Sequence, residues 1–591
     1  MRRAWAVRSL LLAVSCGALI AFAAWSQQLE VPKPPLLRAM HDELERSRQI
    51  SLPNLEPPYF VQYLVDQDDI FSVSAALGGV LTWRRELLRV PHVTVRVGDY
   101  HFDNGNYTGG GFNLGTRYDL GHFPLEDGYD VLRRFFWLET DSAYKSAVEI
   151  LSRKRAALRN LTQGDRVDDF AHAAAVDHVR PLATLRIDQE VWTRQVRGWS
   201  ALFAQYPEVK TSEIELESSA GGFTMVNSEG SQAREPEEVH VLRVRASAQA
   251  ADGMTLRDAL TFHALDVMHL PSDAEVKRGI SQLAQNLTAL AHAAKGEDYN
   301  GPVLFEGVAG PQILAEVLGR SLVLPRAPVR EGGRGGGFQP SELEGRIGAR
   351  VLPDSFDVLD DPTQTEWRGR PLFGHYEVDR EGVLPVPVKV VEKGQLKGYL
   401  LTRQPVRGSN ASNGRARLPG SFGASTATIS NLFFHSSDTV PAVDLKKKLI
   451  EICQARGKPY GIIVRKMDFP SSASIEEARR LFMAAQGGRA VSIPILAYKV
   501  FPGGHEELVR ALQFRGLNTR SLKDILAAGD DNVVFEYMEN GAPFAIVGGV
   551  GYTTEAAVIA PSILVDDLEL HPAEEEQPKL PVVAAPETAV K

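Results

Sequence analysis

Cysteine is nearly absent from this sequence of 591 residues, which contains only Cys16 and Cys453. Cys16 falls in an N-terminal apolar run, so removal of that run would leave Cys453 alone and exclude an intrachain disulfide. Around Cys453, Leu445 and Leu449 recur at helical spacing. That spacing favours a buried packing thiol over a nucleophile.

Positive charge is not in excess either. The chain has 65 Lys and Arg against 74 Asp and Glu, a net charge of −9, with no dominant basic block. We therefore expect no nucleic-acid partner. A composition with 44% hydrophobic and 24% charged residues excludes both wholesale disorder and a multi-span membrane protein. The length is that of about three domains, or two large ones.

One long apolar run stands at the N-terminus. Arginines at positions 2, 3 and 8 precede the run at residues 10–25, and small residues follow before Gln27. This pattern predicts a secretory signal at 1–26 and export to the periplasm or cell envelope. The alternative is an uncleaved anchor, although the run is just short of the length that spans a bilayer. Membrane association would depend on that anchor alone.

Familiar enzyme motifs are missing as well. The glycines of "GGRGGG" do not form a G-x-x-x-x-G-K-[ST] phosphate loop, and no G-x-S-x-G elbow occurs. The stretch "HEEL" (505–508) is followed by Val509 where His-Glu-x-x-His needs its second histidine. His101 and Asp103 alternate on a strand-like segment and could supply two metal ligands, but a solvated loop is the simpler interpretation.

Residues 27–300 read as one mixed α+β domain. Alternation of Val93, Val95 and Val97 with polar residues has the period of a half-buried strand, and we predict an antiparallel meander of short strands over 59–100. Helical patterns follow at about 127–160, 188–206 and 272–295. The last of these opens with the capping box Ser272-x-x-Glu275.

Residues 301–571 are mainly strand-like and predict a large β-rich domain. The segment "VVEKGQLKG" reads as a hairpin with its turn at Lys393-Gly394. A glycine-rich loop, "REGGRGGGFQPSE" (330–342), precedes these strands. The tail at 572–591 is biased to Pro, Ala and Glu, which is typical of disorder.

Several segments together resemble the TldD/PmbA family, which is metallopeptidase-related and was once described as modulating DNA gyrase. They are "RVGDYHFDN" (96–104), "GPVLFEG" (301–307), "LEGRIGARVLPDSFDVLDDP" (343–362), "GHYEVDREGV" (374–383), "KGQLKGYLLTR" (393–403), "SNLFF" (430–434), "FRGLNTRSLKDI" (514–525) and "APSILVDDLEL" (560–570). No single segment is diagnostic, but their order is fairly specific.

The resemblance implies an N-terminal α+β domain, a β-rich C-terminal domain and a dimer that encloses a cavity. It also implies that a peptide lies extended beside a strand, so that backbone pairing supplies affinity. In the catalytic branch, a helix after the "PVLFEG"-like strand carries His-Glu-x-x-x-His, and a cysteine near the C-terminus is a third zinc ligand.

In this chain those positions fall on Ala315, Glu316 and Arg320, with Val550 near the cysteine position. A methyl group and a guanidinium cannot bind zinc, so we expect no metal or other cofactor unless unplaced ligands exist. Glu316 is the one catalytic candidate that remains, and Ala315 and Arg320 are candidates for a peptide site. Because residues five apart lie about 140° apart on a helix, the helix should bend or end between 315 and 320, and Gly319 would ease that departure.

Two interpretations of Glu316 and Arg320 stay open. They could form an ordinary surface ion pair at i and i+4. Alternatively, Arg320 could supply a fixed positive charge where the metal would have been. The corresponding functions are an exported, non-catalytic peptide binder or partner subunit, working as a homodimer or with a related chain, and an active metallopeptidase with other ligands.

Overall fold

The computed structural model describes residues 34–108, 116–117, 123–159, 167–330, 340–419, 425–469, 491–540 and 553–573. The predicted signal, Val550, most of the glycine-rich loop and nearly all of the tail therefore lie outside the described residues. Among the helices of the described ranges, none has the length and apolarity that a membrane crossing requires.

Helices form close to where sequence periodicity predicts them. The described α-helices are α1 (Pro35–Ser47), α2 (Tyr129–Leu158), α3 (Gln189–Ala201), α4 (Asp273–His292), α5 (Ala309–Val317) and α6 (Ala442–Ala455). The capping box of α4 is present, since the Ser272 side chain accepts from the Glu275 backbone and Glu275 bonds back to the Ser272 backbone. Cys453 on α6 is buried, as its apolar neighbours indicate.

The first sheet belongs to the N-terminal half. Its strands run in the order β4-β2-β1-β6-β7-β5, with β8 also paired to β7. Their bounds are β1 (Pro58–Ala76), β2 (Gly79–Val97), β4 (Thr116–Arg117), β5 (Asp177–Val179), β6 (Val209–Asn227), β7 (Gln232–Gln249) and β8 (Thr255–Ala264). The predicted meander of short strands is wrong, because residues 58–97 form only β1 and β2, a single hairpin of two 19-residue strands.

A second sheet of nine strands runs in the order β20-β25-β28-β10-β21-β22-β23-β9, with β24 paired to β28. Its strands are β9 (Ala294–Lys295), β10 (Tyr299–Phe305), β20 (Thr439–Val440), β21 (Gly461–Met467), β22 (Pro494–Val500), β23 (Glu506–Arg510), β24 (Leu512–Arg515), β25 (Ile525–Gly529) and β28 (Ile563–Pro572).

A third sheet of six strands runs in the order β16-β15-β12-β19-β27-β26. It consists of β12 (Phe356–Asp360), β15 (Val388–Glu392), β16 (Gln395–Leu396), β19 (Asn431–Ser436), β26 (Val533–Asn540) and β27 (Thr553–Ala560). The predicted turn between β15 and β16 is confirmed, with both Lys393 and Gly394 at positive φ. Short two-stranded ladders are β3 (Tyr107–Thr108) with β11 (Val329–Arg330), β13 (Glu366–Trp367) with β14 (Arg370–Pro371), and β17 (Ala416–Pro419) with β18 (Ser425–Ala427).

Hydrophobic packing explains these layers. Two clusters fill the space between the first sheet and helices α1 to α4. The largest cluster lies between the second and third sheets, and α5 sits inside it, in contact with β10, β21, β26 and β27. Sheets dominate both halves, which confirms the predicted α+β class.

Ion pairs join the two halves of the chain. Arg380 binds Asp66 on β1, and the fully buried Arg403 donates to Glu229 at 2.7 Å. In a third pair the arginine comes from the N-terminal half: Arg257 on β8 binds Asp468 of the C-terminal half at 2.8 Å. Buried pairs of this kind fix relative position, because breaking one would leave an uncompensated charge.

Candidate functional site

Helix α5 carries Ala315 and Glu316, two of the three residues that align with the family's metal motif, and it is buried on every side. All nine of its residues are buried, so the helix is more deeply enclosed than one apolar face would require. Gly310 marks the closest approach, since a Cβ there would lie 2.4 Å from the carbonyl oxygen of Pro561. The position of α5 is therefore fixed by packing against both sheets.

The helix ends between the two aligned positions, as predicted. α5 stops at Val317, and a 3₁₀ turn covers Gly319–Leu322, which places Arg320 on a different turn from Ala315. The special freedom of glycine is not what permits this. Gly319 has no positive φ, and a Cβ there would make only ordinary contacts.

Glu316 is buried rather than on the surface. Glu316 as a whole is 2% exposed, and its carboxylate accepts hydrogen bonds from the Ser492 backbone N–H and hydroxyl, each at 3.1 Å. The expectation of an ordinary surface ion pair with Arg320 is therefore wrong for the glutamate. Its carboxylate holds the chain at Ser492, 176 residues away in sequence.

Arg320 lies at the centre of a small group that we call the Arg320 cluster: Glu316, Arg320, Phe469, Tyr537 and Glu539. One guanidinium nitrogen is 3.8 Å from Glu316, another is 4.0 Å from Glu539, and the guanidinium carbon is 4.5 Å from the centre of the Phe469 ring. Such a cation over an aromatic face is attracted by the ring.

Electrostatics keep Arg320 charged. Burial lowers the pKa of Arg320, but the charges of Glu539 and Glu316 outweigh it and raise that pKa above its usual value. The phenol of Tyr537 donates to Glu539 at 3.0 Å. Burial, followed by the Glu539 charge, raises the pKa of Tyr537 well above its usual value, so the phenol stays protonated.

Gln312, one turn before Glu316, ties α5 to the chain near Phe469. Its side-chain oxygen accepts from the Met467 backbone at 2.9 Å, and its amide nitrogen donates to the Phe469 carbonyl at 2.8 Å. Gln312 is thus a positioning residue for the ring under Arg320. Sequence reasoning missed Gln312, Ser492 and the residues of β26.

One signal for β26 was available in the sequence. Phe535, Tyr537 and Glu539 alternate, and the structure turns the first two of these inward, at 9% and 0% exposure.

β26 is also the last strand in the order of the third sheet. Within the described ranges, it pairs with β27 on one side only.

The residues present at the aligned positions do not fit zinc. Ala315 is fully buried and has no donor atom, while Arg320 brings a cation to within 3.8 Å of Glu316. Val550 lies outside the described residues. Elsewhere in the described part of the chain, no three His, Cys, Asp or Glu side chains come together so as to hold a metal ion.

The other residues that the sequence suggested as metal ligands or peptide contacts differ in their surroundings. His101 is 79% exposed and binds Asp168 at 2.7 Å, whereas Asp103 is buried against Arg96 at 2.6 Å, so the two do not form a ligand pair. Of the two candidates for the peptide site, 35% of the Arg320 side chain is exposed and none of Ala315 is.

Comparison with known proteins agrees with this architecture. Residues 302–571 match the PmbA/TldA metallopeptidase C-terminal domain. In sequence, the C-terminal part of the chain is therefore similar to the TldD/PmbA family. A metalloprotease from Archaeoglobus fulgidus is 35% identical over 78 residues, which are 13% of this chain and 17% of that protein.

Solved structures with a similar fold cover most of the chain. A proposed modulator of a DNA gyrase from Thermotoga maritima has a TM-score of 0.53 at 15% identity, over 86% of this chain and 96% of that one. TldE from Thermococcus kodakarensis has a TM-score of 0.54 at 11% identity, over 90% and 99%. A similar protein from Bacteroides thetaiotaomicron has a TM-score of 0.54 at 10% identity, over 92% and 99%. At these identities the likeness concerns the fold alone.

Proposed function

We propose that this chain is an exported TldD/PmbA protein without a zinc site, which binds extended peptides at the Arg320 cluster and works as a pair, with itself or with a related subunit. The proposal rests on the position of the Arg320 guanidinium. A permanent cation stands between Glu316 and Glu539, next to the glutamate that the family resemblance makes the catalytic candidate.

The state of Glu316 supports a non-catalytic role. A general base needs a lone pair that can reach the proton it removes. Both Glu316 oxygens accept from the Ser492 backbone, at 3.1 Å each, and Glu316 is only 2% exposed, so its carboxylate is poorly placed to reach a substrate proton. This carboxylate is engaged in holding the fold.

The outer edge of β26 is where an extended peptide would lie. Peptides that add to a sheet gain affinity from backbone hydrogen bonds, and neighbouring side chains select among them. Glu539 on β26 lies 4.0 Å from the partly exposed Arg320. Arg320 would donate to a peptide carbonyl.

Peptide binding is tested with the intact chain and a set of labelled, unstructured peptides. We expect Arg320→Met to weaken binding about tenfold or more, since a charge-assisted hydrogen bond is lost. Arg520→Met is the matched control, because Arg520 is exposed on a separate loop, and should bind as the parent does. Equal affinities for both variants would remove Arg320 from the site.

Metal content tests the other half of the proposal. Elemental analysis of the purified protein, before and after incubation with zinc, should find no stoichiometric metal. Peptides recovered from the binding assay should be intact by mass spectrometry. Stoichiometric zinc together with cleavage would establish the alternative, an active metallopeptidase with other ligands.

A further inference from the structure

The outer half of β2 forms an exposed edge of the first sheet. From Gly79 to Arg85 every residue is exposed, on both faces of the strand. β1 pairs along one side of it. On the other side, the described residues supply only β4, which reaches no further than Val93 and Thr94.

Large apolar side chains are exposed along this edge. Val80, Leu81, Trp83 and Leu87 are 41%, 57%, 52% and 43% exposed. Soluble proteins normally shorten, charge or cover an edge of this kind, because its free backbone groups pair readily with another strand. A long edge with apolar side chains, and with backbone groups that no neighbouring strand of the described residues pairs, indicates that another chain covers it.

Charged residues on the edge are ordered so that the strand complements itself. Arg84 and Glu86 lie on one face, with 3.4 Å between Arg84 Nε and Glu86 Oε1. If two copies of β2 pair antiparallel about a two-fold axis through Arg85, then Arg84 of each copy lies opposite Glu86 of the other. On the second face, Trp83 lies opposite Leu87. Opposite charges and apolar pairs across strands both stabilise pairing.

Arg85, the residue on that axis, does not prevent this pairing by charge repulsion. Its guanidinium makes two bonds to Asp69 on β1, at 2.7 and 3.1 Å, so its charge is already compensated. Two Arg85 side chains can therefore face one another without two bare charges in contact. An axis through Arg84 instead would place two Arg84 residues together, on the face that Glu86 shares.

We propose that a second copy of this chain pairs edge to edge with β2, about a two-fold axis at Arg85, so that the two first sheets become one continuous sheet. The contact is isologous and closes after two copies. This deepens the pairing part of the proposed function by naming its surface and register, and it does not depend on the peptide site.

Cysteine crosslinking reads the register directly. Only the residue on the axis lies opposite itself, with Cα atoms about 4.5–5.5 Å apart, within disulfide reach. In the full chain with Cys16→Ser, Arg85→Cys should therefore form a disulfide-linked dimer on mild oxidation. Arg84→Cys and Glu86→Cys are the matched controls and should crosslink far less. Cys453 is buried and gives no background. Preferential crosslinking of Arg84→Cys would overturn the proposed axis.

A charge exchange tests the same contact by sedimentation equilibrium. Arg84→Glu and Glu86→Arg should each weaken self-association about tenfold or more, since attractive cross-strand pairs become repulsive ones. An equimolar mixture of these two variants should recover dimers, because the two carboxylates of one chain then lie opposite the two guanidinium groups of the other. Variants Glu149→Arg and Arg153→Glu, at an exposed pair on α2, serve as controls and should change nothing.

The outcomes separate this inference from the proposed function. A parent that stays monomeric at micromolar concentration overturns the β2 contact and homodimerisation together, and leaves peptide binding to its own assay. A dimeric parent whose association is unchanged by the β2 variants overturns the β2 contact alone. In that case the two chains meet at another surface.

Discussion

At the scale of single residues, the Arg320 cluster holds a permanent cation between two carboxylates, those of Glu316 and Glu539. Ala315 and Arg320 offer no metal-donor group, and Glu316, 3.8 Å from Arg320, is a buried acceptor. The Glu316 carboxylate binds Ser492 and so joins α5 to a distant segment of the chain.

Substitution of Glu316 is predicted to cost stability rather than activity. Glu316→Ala should lower the free energy of unfolding in urea by about 1–3 kcal/mol, because the Ser492 backbone N–H loses its acceptor. Glu316→Gln keeps one acceptor oxygen and should cost less. If the parent cleaves peptides, and Glu316→Gln abolishes cleavage at unchanged stability, then Glu316 is a catalytic residue and the structural role assigned to it is wrong.

Asp68 on β1 is predicted to make stability depend on pH. Burial, followed by the charge of Asp66, raises the pKa of Asp68 to about 7. Between the unfolded value of about 3.9 and about 7, the folded state binds a proton that the unfolded state does not. Stability from this group is therefore present at low pH and is lost as the pH rises towards 7.

Asp68→Asn should remove that dependence. Relative to the parent, the variant should gain about 1–3 kcal/mol in unfolding free energy between about pH 5 and about pH 8, measured in urea. Asp141→Asn, at an exposed carboxylate on α2, is the control and should follow the parent curve. Parallel curves for Asp68→Asn and the parent would show that the Asp68 carboxyl titrates normally.

At the scale of secondary-structure elements, α5 is held by its surroundings more than by helix propensity. Its nine residues are fewer than an isolated helix needs in water, and all are buried between two sheets. Gly310 allows that enclosure, because the backbone of Pro561 leaves no room for a methyl group.

A pair of glycine substitutions in helices should therefore have opposite signs. Gly310→Ala is predicted to destabilise the protein by about 1–3 kcal/mol, since a Cβ would meet the Pro561 carbonyl oxygen at 2.4 Å. Gly198→Ala in α3, where a Cβ would meet nothing within 4 Å, should stabilise it by about 0.5–1 kcal/mol. Thermal unfolding measures both, and a gain for Gly310→Ala would mean that α5 can shift.

At the scale of the whole molecule, charge pairs across the two halves make the first sheet and the β-rich half a single framework. Arg380, Arg403 and Arg257 each cross that boundary to a carboxylate. The β2 edge and the Arg320 cluster belong to different sheets of this framework, so pairing and peptide binding are separable by mutation.

Export is a further prediction at the scale of the whole molecule. The arginines and apolar run before Gln27 predict that the mature chain begins near that residue and is found outside the cytoplasm. Intact-mass analysis of protein from the envelope fraction should show loss of residues 1–26. Full-length protein in the soluble cytoplasmic fraction would contradict the prediction.

Local interactions are what the sequence determined by itself. The capping box at Ser272, the turn at Lys393-Gly394 and the periods of the long helices depend on residues within a few positions of one another, so pattern alone located them. Likewise, the residue types alone show that Ala315 and Arg320 offer no metal-ligand atom.

Contacts between distant segments were decided only by the tertiary structure. The length of β1 and β2 depends on pairing with β6 and packing under α1 to α4, which short-range alternation does not encode. Glu316 looked like half of a surface pair because its i+4 neighbour is the only partner visible locally. Its burial and its bond to Ser492 arise because two sheets close around α5, and that closure depends on the packing of residues far apart in the chain.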